Sequence, residues 1–190
     1  MFVACGLPTL TDNLARARSY SERMFQAEHL DALRPPEGAL AFTRPLEAGG
    51  RRADDDVTAA VLKDTGGYPF HIQFFGALLW DAVPAAETIT VRHFGRQRDT
   101  ILRALDHAFF EARVARTSAV ERRVLQAVAT EGEGATLQSV MRRLSLPNRR
   151  VQPLIARLET KGLLYRPERA RLAFTVPLFG DYLRRNAEDR

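Results

Sequence analysis

The stretch that decides the fold runs from residue 148 to residue 175 and reads NRRVQPLIARLETKGLLYRPERARLAFT. Four apolar residues in its first half follow the i, i+3, i+4, i+7 spacing of one buried helix face: Val151, Leu154, Ile155 and Leu158. Its second half predicts two short strands, at 163–166 and 171–175, joined by a Pro-containing turn. The sequence therefore predicts a helix followed by a β-hairpin.

Two further helices are predicted before this stretch. Ser118 and Glu121 form a capping box, in which the serine accepts from a backbone N–H and the glutamate reaches back. The inner face of the helix they begin is predicted to hold Val120, Val124, Leu125 and Val128. A second helix follows Thr136. Three helices and then a hairpin is the order of a winged helix-turn-helix, so residues 117–190 are predicted to form such a domain, closed by a helix at 177–185.

The third helix of a helix-turn-helix enters the major groove with its N-terminal residues first. Cations at that end oppose the helix dipole, which favours an anionic partner, and we predict double-stranded DNA. The side chains predicted to contact DNA are Arg149, Arg150, Gln152, Arg157, Arg166, Arg169 and Arg171. Because Pro153 lacks an N–H, we expect the regular helix to begin no earlier than about residue 150. Glu159 and Glu168 dilute the positive surface, so a protein-interaction module remains an alternative.

Composition limits the remaining classes of protein. The net charge of +5 comes almost wholly from arginine, since Lys63 and Lys161 are the only lysines. The single cysteine, Cys5, excludes an internal disulfide and a cysteine-based zinc site and is predicted to lie in the core. No apolar stretch approaches the roughly 18 residues of a membrane helix, and no signal peptide is recognisable, which predicts a cytoplasmic protein without a membrane partner.

The first part of the chain is predicted to be helical after a short strand at 2–5. Helices are expected at 12–25 and 37–42 and after Asp54-Asp55-Asp56, where three carboxylates at a helix start are favoured by the dipole rather than by a metal ion. Gly66-Gly67 would end that helix and Pro69 would begin the next. The apolar face of this next helix is predicted to hold Phe70, Phe74, Phe75, Leu78, Leu79 and Ala82, with Trp80 near its end. A connecting helical pattern fills 84–116.

The order of four segments resembles the C-terminal half of bacterial AAA+ ATPases related to the origin-recognition and archaeal ATPase groups. The segments are GLPTL at 6–10, ARSYSERMF at 17–25, TGGYPFHIQFFGALLW at 65–80 and AFTVPLFGDYLRR at 173–185. The resemblance implies a mainly α fold, with a remnant of the ATPase core at 1–45 and a helical lid with a linker helix at 46–116, before the winged helix.

The resemblance also implies roles for individual residues. Arg23 would be an arginine finger that reaches the phosphates held by a neighbouring subunit, although pairing with Glu22 or Glu28 is the simpler interpretation. Gly67, Tyr68 and Pro69 would lie beside the nucleotide, in the stretch where many lids carry a sensor arginine that this chain lacks.

No P-loop and no Walker B motif occur in the sequence, so we expect no autonomous ATP hydrolysis. ATP and Mg²⁺ are implied only for an intact parent protein, and no metal site is predicted. The unpartnered strand at 2–5 suggests a truncated chain that lacks its ATPase core. The leading hypothesis is the lid and winged-helix region of an AAA+ protein, DNA-binding or regulatory. The alternatives are a free-standing winged-helix transcriptional regulator that dimerises through residues 1–116, a protein-interaction module, and a non-functional truncated product.

Overall fold

A computed structural model describes residues 3, 5–6, 10–17, 24–26, 28, 30–168 and 170–187. The described chain is mainly helical and carries one small antiparallel sheet, as predicted. Its contacts define two compact units. The middle unit is Asp31–Ala112, and the C-terminal unit is Arg113–Arg190 together with Met1–Leu30. The predicted boundary at 116/117 lies four residues from the observed one, whereas the predicted boundary at 45/46 falls inside a helix of the middle unit.

The middle unit is built from helices that pack on one another. Helix α1 (Leu10–Ala17) precedes this unit and is assigned to the C-terminal one. The middle unit contains α2 (Pro35–Ala48), α3 (Asp55–Thr65), α4 (Pro69–Ala82) and α5 (Val91–Leu105). A π-helical turn (Asp106–Phe110) then continues into α6 (Glu111–Ala115), within which the boundary between the units falls. Helix α2 packs against α3 and α4, and both of these pack against α5. The largest fully buried side chains include Phe42, Ile72, Phe75, Leu79 and Leu105.

The helix ends of the middle unit follow the sequence closely. Asp54 precedes α3 with an extended backbone, and Asp55 and Asp56 occupy its first turn, which confirms the predicted helix start. Gly66 ends α3 in the left-handed conformation with φ 58°, and Pro69 is the first residue of α4.

The buried face of α4 differs from the predicted one. Phe75 and Leu79 are buried as expected, but Phe70 is 44% exposed and stacks on Phe109 with 4.9 Å between ring centroids. His71 and Ile72 are fully buried in its place. Helix α4 is apolar around most of its circumference, so the spacing of apolar residues alone does not select which side faces α2 and α3.

Gly67 is held in a position that only glycine fits. Its φ is +74°, and its carbonyl accepts a 2.9 Å hydrogen bond from the N–H of Leu33. A Cβ at this position would lie 2.3 Å from the carbonyl oxygen of Leu33. Because the clash is with backbone, relief requires the chain before α2 to move away from the start of α4.

The Gly67→Ala variant is therefore expected to destabilise the middle unit by about 2 kcal/mol. Urea denaturation followed by the fluorescence of Trp80, the one tryptophan of the chain, measures this unit. Gly66→Ala is the matched control, because Gly66 has φ +58° but no atom within 4 Å of the added Cβ. Equal losses in the two variants would refute the close approach of Leu33.

The C-terminal unit contains a three-helix core followed by the hairpin. Its elements are α7 (Ala119–Glu131), α8 (Leu137–Leu144), α9 (Asn148–Thr160), β1 (Leu164–Tyr165), β2 (Ala173–Phe174) and α10 (Phe179–Arg185). Helix α7 packs against α8, α9 and α10. Its predicted inner face is right for Val124, Leu125 and Val128 and wrong for Val120, which is 46% exposed.

The hairpin is shorter than predicted, with two residues in each strand. Leu164 pairs with Phe174 in antiparallel register. An isolated antiparallel bridge joins Thr136 to Arg171, and the N–H of Leu172 donates to the carbonyl of Ala135 at 2.9 Å. The segment between the first two helices of the core therefore adds a third extended stretch beside the hairpin.

Helix α9 begins earlier than expected. Its first residue is Asn148, after Pro147 with an extended backbone, so Arg149 lies in the first turn rather than in the preceding turn. Pro153 is accommodated inside the helix. A proline at this position removes the N–H that would reach the carbonyl of Arg149, and its ring crowds the same carbonyl. Helix α10, by contrast, begins two residues later than predicted, at Phe179 instead of 177, after Leu178 with φ 64°.

Few residues before the middle unit are described. Val3 and Cys5 lie outside any strand and are exposed, so the strand predicted at 2–5 is absent at these two positions and the predicted core placement of Cys5 is wrong. Within the helix predicted at 12–25, α1 accounts for the residues up to Ala17. Among the described residues, no helix has both the length and the apolar character needed to cross a membrane.

Candidate nucleic-acid interface

The positive charge of the chain is concentrated in its last part. Residues 117–190 contain 14 Arg and Lys against 8 Asp and Glu, whereas residues 1–116 contain 14 against 15. The basic excess therefore coincides with the C-terminal unit. A basic excess confined to one domain is more informative about an anionic partner than the net charge of a whole chain.

Two of the predicted DNA-contacting arginines are exposed and available. Arg149 and Arg150 occupy the first turn of α9, directly after the turn from α8. Among the described residues, neither guanidinium makes a hydrogen bond or an ion pair. Both cations lie at the positive end of the helix dipole, which disfavours them locally and favours an anion beside them.

Three of the other predicted residues are joined to acids or to one another. Arg166, just after β1, donates from Nε to Oε1 of Glu159 at 2.7 Å and from Nη2 to Oε1 of Gln152 at 3.1 Å. Arg157 has its Nε 3.6 Å from Oε1 of Glu121. The charges of Arg157 and Arg166 are thus partly neutralised within the unit.

Arg171, two residues before β2, also has partners within the unit. Arg171 donates from Nη2 to the carbonyl of Glu133 at 3.0 Å, and its Nη1 is 3.7 Å from Oε1 of Glu168. Arg169 lies outside the described residues. The structure therefore brings Gln152 and Arg166 together. Of the three exposed arginines of α9, Arg157 pairs with Glu121, whereas Arg149 and Arg150 have no side-chain partner among the described residues.

Glu121 is a buried carboxylate of the C-terminal unit that pairs with two more exposed cations. Its side chain is 4% exposed, and Oε2 accepts from the Ser118 N–H at 2.7 Å, which completes the predicted capping box. Oε2 also accepts from Nζ of Lys161 at 2.7 Å, and Lys161 donates to the carbonyl of Arg116 at 2.9 Å. Burial opposes ionisation of the carboxyl, but the hydrogen bonds from Lys161 and Ser118 outweigh it and hold the pKa of Glu121 below its ordinary 4.5.

This pairing fixes the orientation of α9. Glu121 lies in the first turn of α7 and Lys161 directly after the last turn of α9, so the ion pair ties the start of one helix to the end of the other. The sequence predicted the cap but gave no sign of the lysine, which is 40 residues away in the chain. Only the fold brings the two side chains together.

The residues predicted to lie beside a nucleotide have structural partners in the middle unit. Gly67 contacts the backbone of Leu33 as described above, and Tyr68 precedes α4 and places its ring edge on His71 with 4.8 Å between centroids. Pro69 is the first residue of α4. Arg23, the predicted arginine finger, lies outside the described residues.

Arg51, like Lys161, has a structural role that the sequence did not predict. It is 7% exposed, and its guanidinium donates to the carbonyls of Trp80, Val83 and Pro84 at the end of α4, including a 2.7 Å bond to Trp80. It also lies 4.8 Å from the centroid of the Trp80 ring. Arg51 therefore caps α4 at its C-terminus, where carbonyl groups lack intrahelical donors and the dipole is negative.

Within the described ranges, no group of three or more His, Cys, Asp or Glu side chains is arranged to hold a metal ion. The C-terminal unit combines three features: a three-helix core, a short hairpin, and two exposed arginines at the start of its third helix. Residues 107–183 match a family described as "Domain of unknown function (DUF8462)". No curated protein matches the chain.

Proposed function

We propose that the C-terminal unit is a winged helix-turn-helix that binds double-stranded DNA, with α8 and α9 as its helix-turn-helix and the β1–β2 hairpin as its wing. The observation that carries this proposal is the pair of exposed, unpaired arginines in the first turn of α9. A helix-turn-helix presents this end of its recognition helix to the base edges and to the adjacent phosphates.

The shape of α9 supports the same docking. The middle of the exposed face, opposite the buried stripe, carries Arg149, Pro153, Ala156 and Thr160, and the exposed Arg150 and Arg157 flank it on one side. Pro153, Ala156 and Thr160 have small side chains, so the helix axis can approach the floor of a major groove about 12 Å wide. Arginine at one end supplies charge-assisted hydrogen bonds to phosphate or to guanine.

The Arg149→Ala/Arg150→Ala double variant is expected to bind a labelled mixed-sequence 25-base-pair duplex at least about tenfold more weakly, a loss of roughly 1.4 kcal/mol. Fluorescence anisotropy measures both affinities. The matched control is Arg92→Ala/Arg96→Ala, which removes the same charge from two exposed positions on α5. Absent binding to any duplex at low salt, or equal losses in the two double variants, would contradict the proposal and favour a protein-interaction module.

For the middle unit, we propose the role of an AAA+ lid, on the strength of the sequence resemblance and of a helical unit in which α4 begins at the Tyr68-Pro69 step. The arginine finger at Arg23 and the nucleotide-adjacent role of Gly67, Tyr68 and Pro69 stay predictions. So does the lack of autonomous ATP hydrolysis. A phosphate-release assay on the chain with ATP and Mg²⁺ tests this last point, with release expected at the level of buffer alone.

A further inference from the structure

One arginine of the hairpin spans two turns of α9. Arg166 donates to Glu159 and to Gln152, which are seven residues apart and lie on the same flank of the helix. Glu159 is mostly buried, with a side-chain exposure of 25%, and the Arg166 side chain is 33% exposed. The three side chains therefore form a network along one edge of the helix that we propose enters DNA.

The chemistry of arginine fixes the orientation of the Gln152 amide. A guanidinium has donors and no acceptor, so the Gln152 atom that meets Arg166 must be the carbonyl oxygen Oε1. The amide nitrogen Nε2, with its two hydrogens, then points away from Arg166. Glu159 holds the guanidinium through a charge-assisted bond at 2.7 Å, which keeps the arrangement in place before any partner binds.

We propose that Gln152 is a base-reading residue that presents Nε2 as a donor, and that Arg166 is the positioning residue that sets this orientation, with Glu159 as its anchor. The inference rests on the proposed DNA-binding function. In the major groove guanine shows two acceptors, N7 and O6, whereas adenine shows an acceptor and a donor. A glutamine reads adenine with Oε1 and Nε2 together. The bond to Arg166 occupies one of the two lone pairs of Oε1 and holds this oxygen toward Arg166, which shifts the preference toward guanine.

Selection of duplexes from a randomised library by the full chain, followed by sequencing, tests the inference. The wild type is expected to enrich guanine over adenine at least about fivefold at one fixed position, the lower end of what one base contact discriminates. Gln152→Ala removes the preference at that position, and its affinity for the mixed-sequence duplex stays within about threefold, since phosphate contacts dominate affinity.

Two further variants distinguish a role of Gln152 in base preference from a role in the stability of the fold. Gln152→Glu replaces the outward donor by an acceptor and is expected to move the preference at the same position to cytosine, whose N4 is a donor. Arg166→Met frees the amide to rotate, so adenine becomes as acceptable as guanine. Arg171→Met is the control, because Arg171 is another arginine beside the hairpin but donates to the carbonyl of Glu133 and pairs with Glu168 instead of Gln152.

The possible outcomes separate base reading by Gln152 from DNA binding by the C-terminal unit. Failure of the wild type to bind any duplex contradicts the proposed function itself. Binding that depends on Arg149 and Arg150, with base preferences unchanged by Gln152→Ala, Gln152→Glu and Arg166→Met, overturns the inference alone. Circular dichroism confirms that each variant is folded, and Gln152→Glu, of nearly the same size, carries the test if Gln152→Ala unfolds.

Discussion

Glu121→Ala is expected to destabilise the C-terminal unit by roughly 3 kcal/mol, because it removes a buried carboxylate that caps α7 and accepts a charge-assisted hydrogen bond from the more exposed Lys161. The variant leaves the N–H of Ser118 without its carboxylate acceptor, removes the ion pair of Lys161, and breaks the link between the start of α7 and the end of α9. Loss of the cap accounts for about 1 kcal/mol of the total. Thermal unfolding followed by circular dichroism at 222 nm measures the change.

The same carboxylate gives a pH dependence with a definite sign. Because the folded protein lowers the pKa of Glu121, its contribution is fully present above the unfolded value near 4.5 and is lost as the pH falls through the lower folded value. The stability difference between wild type and Glu121→Gln should therefore be largest at neutral pH and shrink below pH 4.5. Glu133→Gln, at an exposed position, is the control. A difference that grows in acid would contradict the ionised, hydrogen-bonded carboxylate.

Arg51→Met is the second change with a large expected effect. Methionine fills part of the volume of the side chain but cannot donate, so the carbonyls of Trp80 and Val83 lose their partners inside a packed region. Unsatisfied buried acceptors cost about 1–3 kcal/mol each, and the cation–π contact with Trp80 adds roughly 1 kcal/mol. We expect a loss of about 3 kcal/mol from the middle unit.

Arg52→Met is the matched control for this variant. Arg52 is the next residue in the chain and is exposed, and its backbone carbonyl, not its side chain, accepts the N–H of Ile89 at 2.8 Å. Urea denaturation monitored by Trp80 fluorescence should shift strongly for Arg51→Met and hardly at all for Arg52→Met. Comparable shifts for the two would show that the cap on α4 contributes little.

The features that the sequence predicted correctly are local. The Ser118–Glu121 capping box, the left-handed Gly66 and the buried stripe of α9 each depend on residues within about eight positions of one another. Local backbone chemistry and periodicity are sufficient for such features. The helical class and the small hairpin followed from these elements.

The features that the sequence did not predict depend on distant contacts. Arg51 lies in a Gly-Gly-Arg-Arg stretch that reads as an exposed loop, yet the end of α4, some 30 residues later, buries it. The turn is also tight, since a Cβ on Gly49 would lie 2.1 Å from the Trp80 ring. The exposure of Phe70 and Val120 could not be foreseen either, because apolar residues that flank a buried face share its spacing nearly as well.

The candidate interface was predictable in outline but not in detail. Composition and the helix-turn-helix order indicated a basic α9, and Arg149 and Arg150 are exposed in its first turn. The sequence could not show that Glu159 and Gln152 engage Arg166, or that Glu121 lies near Arg157. These pairings decide which cations remain free, and they depend on how β1 and α7 pack against α9.

The salt dependence of duplex binding tests the central claim most directly. The logarithm of the association constant falls with the logarithm of salt concentration by about 0.9 for each phosphate that the protein neutralises. We predict a steep linear dependence for the wild type and a slope smaller by about 2 for Arg149→Ala/Arg150→Ala, with the Arg92→Ala/Arg96→Ala slope unchanged. A flat salt dependence for the wild type, or the same slope in all three proteins, would contradict DNA binding through the start of α9.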